Sequence, residues 1–191
     1  MTRAKLDALC AKGCEGHTGL PEFSASIECL KSAVQTGKLR IAEIGFNAGH
    51  SAETLLFNSS QDSTLHDFDI CTHPYVADAK KIISEAFPGR FELICGDSAT
   101  TVPTYVGDKF DVVHVDGGHS YDRAYGDIMN MKKHSHASTR LVVDDCNPNG
   151  GSGDVEKAWN DVVSQGHVRA DHCYGSKNSC AGYYTFTPSE Q

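Results

Sequence analysis

Two apolar runs of the chain end in side chains that could bind a metal ion and move a proton. One run is followed by Asp116, two glycines and His119, and a second, shorter run is followed by Asp144 and Asp145. If both runs are strands of an open α/β sheet, their carboxyl ends face the ligand crevice. Carboxylate oxygens suit a hard divalent cation such as Mg²⁺, and an imidazole suits a general base at neutral pH. We therefore predict a divalent-cation site on the three aspartates, with His119 as the catalytic base.

Each of these residues also has an ordinary structural interpretation. Asp116 could stabilise the glycine turn, and His119 could cap a helix that begins after Ser120. Adjacent residues of a strand point to opposite faces, so Asp144 and Asp145 converge only if the strand has already ended. The turn-rich sequence that follows them favours such an ending.

The segment from Glu43 to Ser51 predicts a ligand-binding turn between a strand and a helix. Gly45 stands directly after the apolar strand, where a glycine allows a sharp turn and the close approach of a ligand. The free N–H groups at the start of the next helix would face the crevice. The dinucleotide pattern GxGxxG is absent because Asn47 replaces its middle glycine, which favours a ligand without a pyrophosphate.

Acidic residues end the next two predicted strands as well. Asp69 is placed to accept hydrogen bonds from both hydroxyls of a ribose, whereas Asp67 lies further from the sheet edge. Asp97 and Ser98 are placed to contact an adenine amino group. Ordinary loop capping is the alternative interpretation of Asp69 and Asp97, and the order of the two acids after a glycine turn favours a cofactor.

Strand and helix patterns alternate along the chain after a helical segment that covers residues 1–38. This alternation is typical of a doubly wound, mostly parallel α/β sheet in a single domain, with the α/β core in residues 39–191. A closing antiparallel pair is predicted in residues 167–173 and 182–187, and Asp154 is predicted to cap the helix that contains Trp159. The predicted strands are Leu39–Ile44, Thr64–Ile70, Phe91–Cys95, Phe110–Val115 and Leu141–Val143, and the predicted core helices include Ser51–Phe57 and Val76–Phe87.

Composition excludes several classes of protein. A formal net charge of −8 argues against binding to a nucleic-acid backbone. No apolar run reaches the roughly 20 residues that a transmembrane helix needs, and the first residues do not resemble a secretory signal, so we expect a cytoplasmic protein without a membrane partner. The eight cysteines lie along the whole chain, several inside apolar segments, which favours buried free thiols over disulfides or zinc.

The order of these motifs resembles the class I S-adenosylmethionine-dependent methyltransferases over roughly residues 39–165. Within that class the chain is similar to small metal-dependent O-methyltransferases, especially the macrolide sugar O-methyltransferases. The resemblance implies a seven-stranded sheet, S-adenosylmethionine between Gly45 and Asp97, Mg²⁺ or another divalent cation on the aspartates, and His119 as base. The residues implied in cofactor binding are Glu43, Gly45, Asn47, Gly49, Ser51, Asp69, Asp97, Ser98 and Asp116, and those implied in metal binding are Asp116, Asp144 and Asp145.

Three function classes stay open at this point. The leading hypothesis is a methyltransferase that acts on a hydroxyl of a small molecule. A catalytically degenerate binding or scaffold module and a nucleotide-dependent oxidoreductase are the alternatives. The segment before the first strand is short, so we expect the crevice to be uncovered at that side, where by analogy a second subunit of a homo-oligomer could close it.

Overall fold

The computed structural model describes residues 2–11, 13–15, 24–35, 37–146, 152–173 and 178–187. None of the described helices is long and apolar enough to cross a membrane. The helices are α1 (Thr2–Cys10), α2 (Ser24–Ala33), α3 (His50–Asn58), α4 (Val76–Ala86), α5 (Ser98–Thr104), α6 (Tyr121–Lys133) and α7 (Gly153–Ser164). The strands are β1 (Arg40–Ile44), β2 (Thr64–Asp69), β3 (Phe91–Cys95), β4 (Phe110–Val115), β5 (Ser135–Val143), β6 (Val168–Asp171) and β7 (Cys180–Tyr184).

The described strands form one sheet in the order β3-β2-β1-β4-β5-β7-β6. The pairs among β1 to β5 are parallel, and β7 runs antiparallel to both β5 and β6. Apolar side chains of the helices cover both faces in two core clusters, which explains why β1 and β4 consist of almost continuous buried residues. The predicted doubly wound fold and its antiparallel closing pair are confirmed. Because the strand order reverses at β1, a crevice opens there at the carboxyl ends of the strands.

Local differences from the prediction arise where tertiary contacts override the sequence pattern. Helix α5 was not predicted, because it contains threonines and Pro103, which are poor helix formers. Strand β5 begins earlier than predicted, because Ser135 pairs with Phe110 of β4 ahead of a break in register that ends at Arg140. The predicted cap at Asp154 is wrong: Ser152 is the N-cap of α7, and Asp154 lies in the first turn. The sequence leaves two interpretations of the glycine-rich segment 149–153, a flap over the substrate or a flexible connection, and residues 149–151 of that segment lie outside the described residues.

The cysteines correct the expectation of free thiols. All eight are paired, as Cys10–Cys14, Cys29–Cys173, Cys71–Cys95 and Cys146–Cys180. The sequence pattern was misleading because partners that are distant in the chain meet only after folding. Cys29 and Cys173 are 144 positions apart, yet their Cα atoms lie only 5.5 Å apart. Their disulfide joins α2 to the segment that follows β6.

The Cys29–Cys173 disulfide is expected to contribute strongly to stability. Replacing both residues by serine should lower the free energy of unfolding by about 2–5 kcal/mol, because the bond closes a long loop in the unfolded chain. Chemical denaturation measures this loss. The Cys10→Ser, Cys14→Ser pair is the matched control and should lose less, since that loop has a separation of only 4; an equal loss in both pairs would contradict the chain-entropy account.

Candidate active site

A cavity of about 480 Å³ opens at the carboxyl ends of the parallel strands. It has the size of a small-molecule site. Its wall brings together nine of the residues predicted from the sequence. These are Gly45, Asn47, Asp69, Asp97, Ser98, Asp116, His119, Asp144 and Asp145.

Three predicted residues do not line this cavity. Glu43 is fully buried in β1, two residues before Gly45. Gly49 is the N-cap of α3, where its φ of +79° is a left-handed conformation. Ser51 is buried in the first turn of that helix. Their assignment to cofactor binding stays a prediction, and any effect they have on a ligand must pass through the residues that line the cavity.

The backbone at Gly45 passes unusually close to the backbone at Asp116. A Cβ atom at position 45 would lie 2.0 Å from the carbonyl oxygen of Asp116, and the φ of Gly45 is +106°. The N–H of Asp116 donates to the carbonyl of Ile44 at 2.9 Å. Only glycine satisfies both the space and the backbone conformation, so this contact fixes where the turns after β1 and β4 meet.

Asp69 is held rigidly at the cavity wall by two backbone donors. Its Oδ2 accepts from the N–H of Asn47 at 3.0 Å, and its Oδ1 accepts from the N–H of Cys71. Asn47 has a φ of +49°, a left-handed conformation that asparagine tolerates. Each carboxylate oxygen of Asp69 keeps a further lone pair, so the side chain can still accept a hydrogen bond from a ligand hydroxyl.

Asp97 and Ser98 lie at the start of α5, where Asp97 caps the helix by accepting from the N–H of Ala99 at 3.0 Å. The hydrogen bond from the guanidinium of Arg123 is the main reason that the pKa of Asp97 is lowered. Arg123 lines the same cavity, and sequence reasoning missed it. It stands in a helix whose spacing shows an apolar face, and no local signal reveals that its side chain reaches back to the end of β3.

The N-terminal segment covers part of the cavity, contrary to expectation. Glu15 lines the wall together with His73, and its carboxylate Oε2 lies 3.2 Å from Nε2 of His73. The backbone N–H of Glu15 donates to the hydroxyl of Tyr75 at 3.3 Å, and that hydroxyl donates to Oδ1 of Asn47 at 2.7 Å. A segment far from the strands in sequence therefore completes this side of the site.

Three predicted residues form a group with the geometry of a metal site. One ligand atom each of Asp116, His119 and Asp145 lies within 4.8 Å of the others, and this is the only such group within the described ranges. Nε2 of His119 lies 3.0 Å from Oδ2 of Asp145. The hydrogen bond to Asp145 raises the pKa of His119, against a smaller lowering by burial. Burial in the cavity floor, followed by the charge of Asp144, raises the pKa of Asp116 well above its ordinary value.

Asp144 and Asp145 diverge, contrary to the prediction that they converge once the strand has ended. Strand β5 does end at Val143, but the two carboxylates bond to different partners. Asp145 adopts a φ of +55°, which turns the chain and directs its carboxylate towards His119. Asp144 is buried, and its Oδ1 accepts hydrogen bonds from the hydroxyls of Ser26 and Ser179. Asp144 still borders the cavity, so its assignment as a metal ligand stays a prediction, with Oδ1 already engaged by the protein. The two serines were missed because they come from distant segments.

A row of buried ionisable residues lies behind the cavity floor. Glu43 is paired in register with Asp67 on one side and with His114 on the other. Nδ1 of His114 lies 2.8 Å from Oε1 of Glu43. Burial alone lowers the pKa of His114, but the hydrogen bond and charge of Glu43 outweigh it and raise the pKa to about 9. Burial, followed by the charge of Glu43, raises the pKa of Asp67 well above its ordinary value.

The comparison with protein families agrees with this geometry. A family model described as a methyltransferase domain matches residues 42–146, which is more than half of the chain. The chain belongs to this methyltransferase family. The resemblance inferred from the motifs is thus confirmed at the level of the family, and the protein is a methyltransferase rather than an oxidoreductase. A search of curated proteins finds no match to the chain.

Solved structures share the fold of this methyltransferase at low sequence identity. The O-methyltransferase TomG from Streptomyces achromogenes, in complex with SAM, is 18% identical with a TM-score of 0.75, covering 97% of this chain and 90% of that one. An O-methyltransferase from Bacillus cereus in complex with SAH is 15% identical, with a TM-score of 0.75 and coverage of 96% and 90%. CalS11, a TDP-rhamnose 3'-O-methyltransferase of calicheamicin biosynthesis, is 17% identical, with a TM-score of 0.69 and coverage of 95% and 92%.

Replacement of Gly45 by alanine should destabilise the methyltransferase. The new methyl group would overlap the backbone of Asp116, so we expect a loss of about 2 kcal/mol or more beyond the cost of the left-handed conformation. Gly89→Ala is the matched control, because Gly89 also has a positive φ but open space around it, and it should lose only about 1 kcal/mol. Denaturant unfolding compares the two; equal losses would show that the close approach at position 45 is unimportant.

The pair His119–Asp145 predicts a specific titration behaviour in metal-free protein. Asp145→Asn should bring the pKa of His119 down towards its ordinary value, because the amide replaces a charged acceptor. A raised pKa in the folded state stabilises the fold below the unfolded pKa of about 6.5, and this contribution is lost as the pH rises through the raised value. NMR titration of the imidazole measures the shift. Asp144→Asn should move it less, because Asp144 acts on His119 only through its charge.

Proposed function

We propose that this methyltransferase transfers a methyl group from S-adenosylmethionine to a hydroxyl of a small molecule with the help of Mg²⁺ or a similar divalent cation. The observation that carries the proposal is the convergence of Asp116, His119 and Asp145 at one end of a cavity whose other end is built from the Gly45 turn and Asp69. The solved O-methyltransferases of the same fold, two of them described with SAM or SAH bound, support the same reading.

The cofactor end of the cavity fits a nucleoside. Asp69 is fixed by backbone donors and presents free lone pairs, as an acceptor for two ribose hydroxyls requires. Ile70 lines the same wall with a side chain that is 58% exposed, and it offers an apolar surface to a base. Asp97 and Ser98 follow at the next strand end, in reach of the polar edge of that base. S-adenosylmethionine bound here would supply a methyl group on a good sulfonium leaving group.

The acidic end fits a hard cation by the chemistry of its donors. Asp116 and Asp145 offer carboxylate oxygens in close proximity, and oxygen is the ligand that Mg²⁺ prefers. An imidazole nitrogen is a poorer ligand for this ion, which leaves His119 to act on the substrate. A bound divalent cation would lower the pKa of an acceptor hydroxyl that contacts it.

The residues of the chain then have distinct tasks. Asp116 lies at the boundary of the two ends, because its backbone contacts the Gly45 turn and its side chain faces Asp145. His119 is 59% exposed at the mouth of the cavity, so its imidazole can receive the proton of an acceptor hydroxyl and release it to solvent. Asp145 orients that imidazole through the 3.0 Å contact and stabilises its protonated form.

Further features of the proposal concern partners and location. We propose a single-domain protein that acts on a small hydroxylated substrate and not on nucleic acid or membranes, and a homo-oligomer stays an untested expectation. The cytoplasmic location expected from the sequence also stays a prediction. The four disulfides argue for an oxidising compartment instead, because disulfides are rare in cytosolic proteins.

Ligand-dependent melting tests the cofactor and the metal separately. At about a hundred times its dissociation constant, S-adenosylhomocysteine should stabilise the protein by about 2.7 kcal/mol, whereas NAD should produce no shift. Mg²⁺ should add a further shift that Asp145→Asn removes. Asp62→Asn should retain this shift, because Asp62 is exposed and precedes the start of β2, whereas the other end of that strand lines the cavity. A shift with NAD, or no shift with any ligand, would contradict the proposed cofactor site.

An acceptor screen with methyl-labelled S-adenosylmethionine then tests the chemistry. On any sugar or phenol that is methylated, His119→Ala should lower kcat by about 10²–10⁴-fold, the usual contribution of a general base. Binding of S-adenosylhomocysteine should be preserved in that variant. Full activity without His119 would contradict its assignment as the base.

A further inference from the structure

Two of the disulfides join neighbouring strands at the cavity, and they do so in the same way. Asp69 and Cys95 are the last paired residues of β2 and β3, and Cys95 bonds to Cys71, two residues past the end of β2. Val143 and Cys180 are the last paired residues of β5 and β7 at the cavity edge. Cys180 bonds to Cys146, three residues past the end of β5. Each disulfide thus extends a strand pair beyond its last hydrogen-bonded rung.

Each disulfide closes a turn that contains a non-glycine residue in the left-handed conformation. The φ of Cys71 is +58° and the φ of Asp145 is +55°. L-residues disfavour this region, so such turns persist only where the surrounding structure holds them. A covalent bond across the turn restricts the chain to the observed conformation.

The turn closed by Cys71–Cys95 positions Asp69, the hydrogen-bond acceptor at the cofactor end of the cavity. The N–H of Cys71 donates to Oδ1 of Asp69, and Ile70, between them, lines the cavity. On the other side of the bond, Cys95 is followed directly by Gly96 and Asp97, which line the opposite part of the same wall. The bond Cys71–Cys95 therefore fixes the spacing between the two parts of this wall, one of which would hold the ribose and the other the base.

The turn closed by Cys146–Cys180 positions Asp144 and Asp145 at the acidic end of the cavity. The N–H of Cys146 donates to the carbonyl of Asn178 at 2.9 Å, and the hydroxyl of Ser179, next to Cys180, donates to Oδ1 of Asp144. Asp145 lies within the same turn and contacts His119. The bond Cys146–Cys180 therefore fixes both aspartates relative to β7. Strands β1 and β4 lie between the two disulfides in the sheet, so each bond acts on its own end of the cavity.

We propose that Cys71–Cys95 and Cys146–Cys180 are positioning disulfides, the first for cofactor binding and the second for divalent-cation binding. The inference rests on the proposed function, because it assigns the two ends of the cavity to those two ligands. It extends that function by making the affinity for each ligand depend on a different pair of cysteines.

The test crosses two variants with two binding measurements. The variants are Cys71→Ser with Cys95→Ser, and Cys146→Ser with Cys180→Ser, so that each pair is the matched control for the other. The probes are S-adenosylhomocysteine, titrated by calorimetry in metal-free buffer, and Mn²⁺, a hard cation with the same preference for oxygen ligands, titrated by electron paramagnetic resonance. Both readouts are independent of turnover.

We expect a reciprocal pattern. The first variant should weaken S-adenosylhomocysteine by about tenfold or more, because a pre-organised wall is lost, and it should change Mn²⁺ affinity by less than about twofold, as for independent sites. The second variant should weaken Mn²⁺ by about 10–100-fold, as the loss of outer supporting contacts does, and leave S-adenosylhomocysteine unchanged. Equal weakening of both probes in either variant would overturn the inference, because it would indicate general destabilisation.

Two controls keep the outcomes distinct. If the wild-type chain binds both probes and the variants bind them with the same affinities, the positioning role alone is refuted. If the wild-type chain binds neither probe, the proposed function is refuted and this inference with it. Melting transitions establish that each variant is folded at the temperature of the titration. Where a serine pair does not fold, the corresponding alanine pair, which avoids burying a new hydroxyl, takes its place and is judged by the same pattern.

Discussion

The passage of the Gly45 backbone against the backbone of Asp116 is the constraint on which the site depends. Strand β1 lies between β2 and β4, and the chain reverses its winding there. The turns after β1 and β4 therefore pass each other at the place where the crevice opens. With no side chain at position 45, the two backbones touch. Asp116 is thereby held at the boundary between the end of the cavity that suits a nucleoside and the end that carries the acidic group.

The acidic group is supported from below by a buried charge of the opposite sign. Asp116, Asp144 and Asp145 repel one another when ionised, and burial makes that repulsion costly. His114 lies behind them, and its raised pKa of about 9 keeps the imidazole protonated at neutral pH. Its charge lowers the pKa of Asp116 and opposes the effects of burial and of the neighbouring acids. Glu43 lies 2.8 Å from His114 within the sheet and so acts on the acidic group through that imidazole, while its contact with a ligand stays a prediction.

Predictability followed the range of the interactions involved. Strands β1 to β4 and helices α3 and α4 were predicted well because hydrophobic periodicity and glycine turns are local signals. The convergence of Asp116, His119 and Asp145 was predicted for the same reason, since a parallel sheet brings its carboxyl ends together by topology alone. The cysteine pairing was predicted wrongly, because no local pattern shows which distant thiols will become neighbours. Helix α5 was missed where a side-chain cap and packing on the sheet outweighed poor helix propensity.

The sequence by itself determined the doubly wound architecture and the edge of the sheet that carries the candidate catalytic residues. Strand periodicity and the residues that end each strand are local patterns, so they can be recognised without knowledge of the tertiary contacts. Only the tertiary structure decided the partners of those residues. It directed Asp144 to Ser26 and Ser179 and directed Asp145 to His119. It also brought Glu15 and Arg123 to the cavity wall. These contacts join segments far apart in the chain, and their geometry is fixed only when the sheet, its helices and its disulfides pack together.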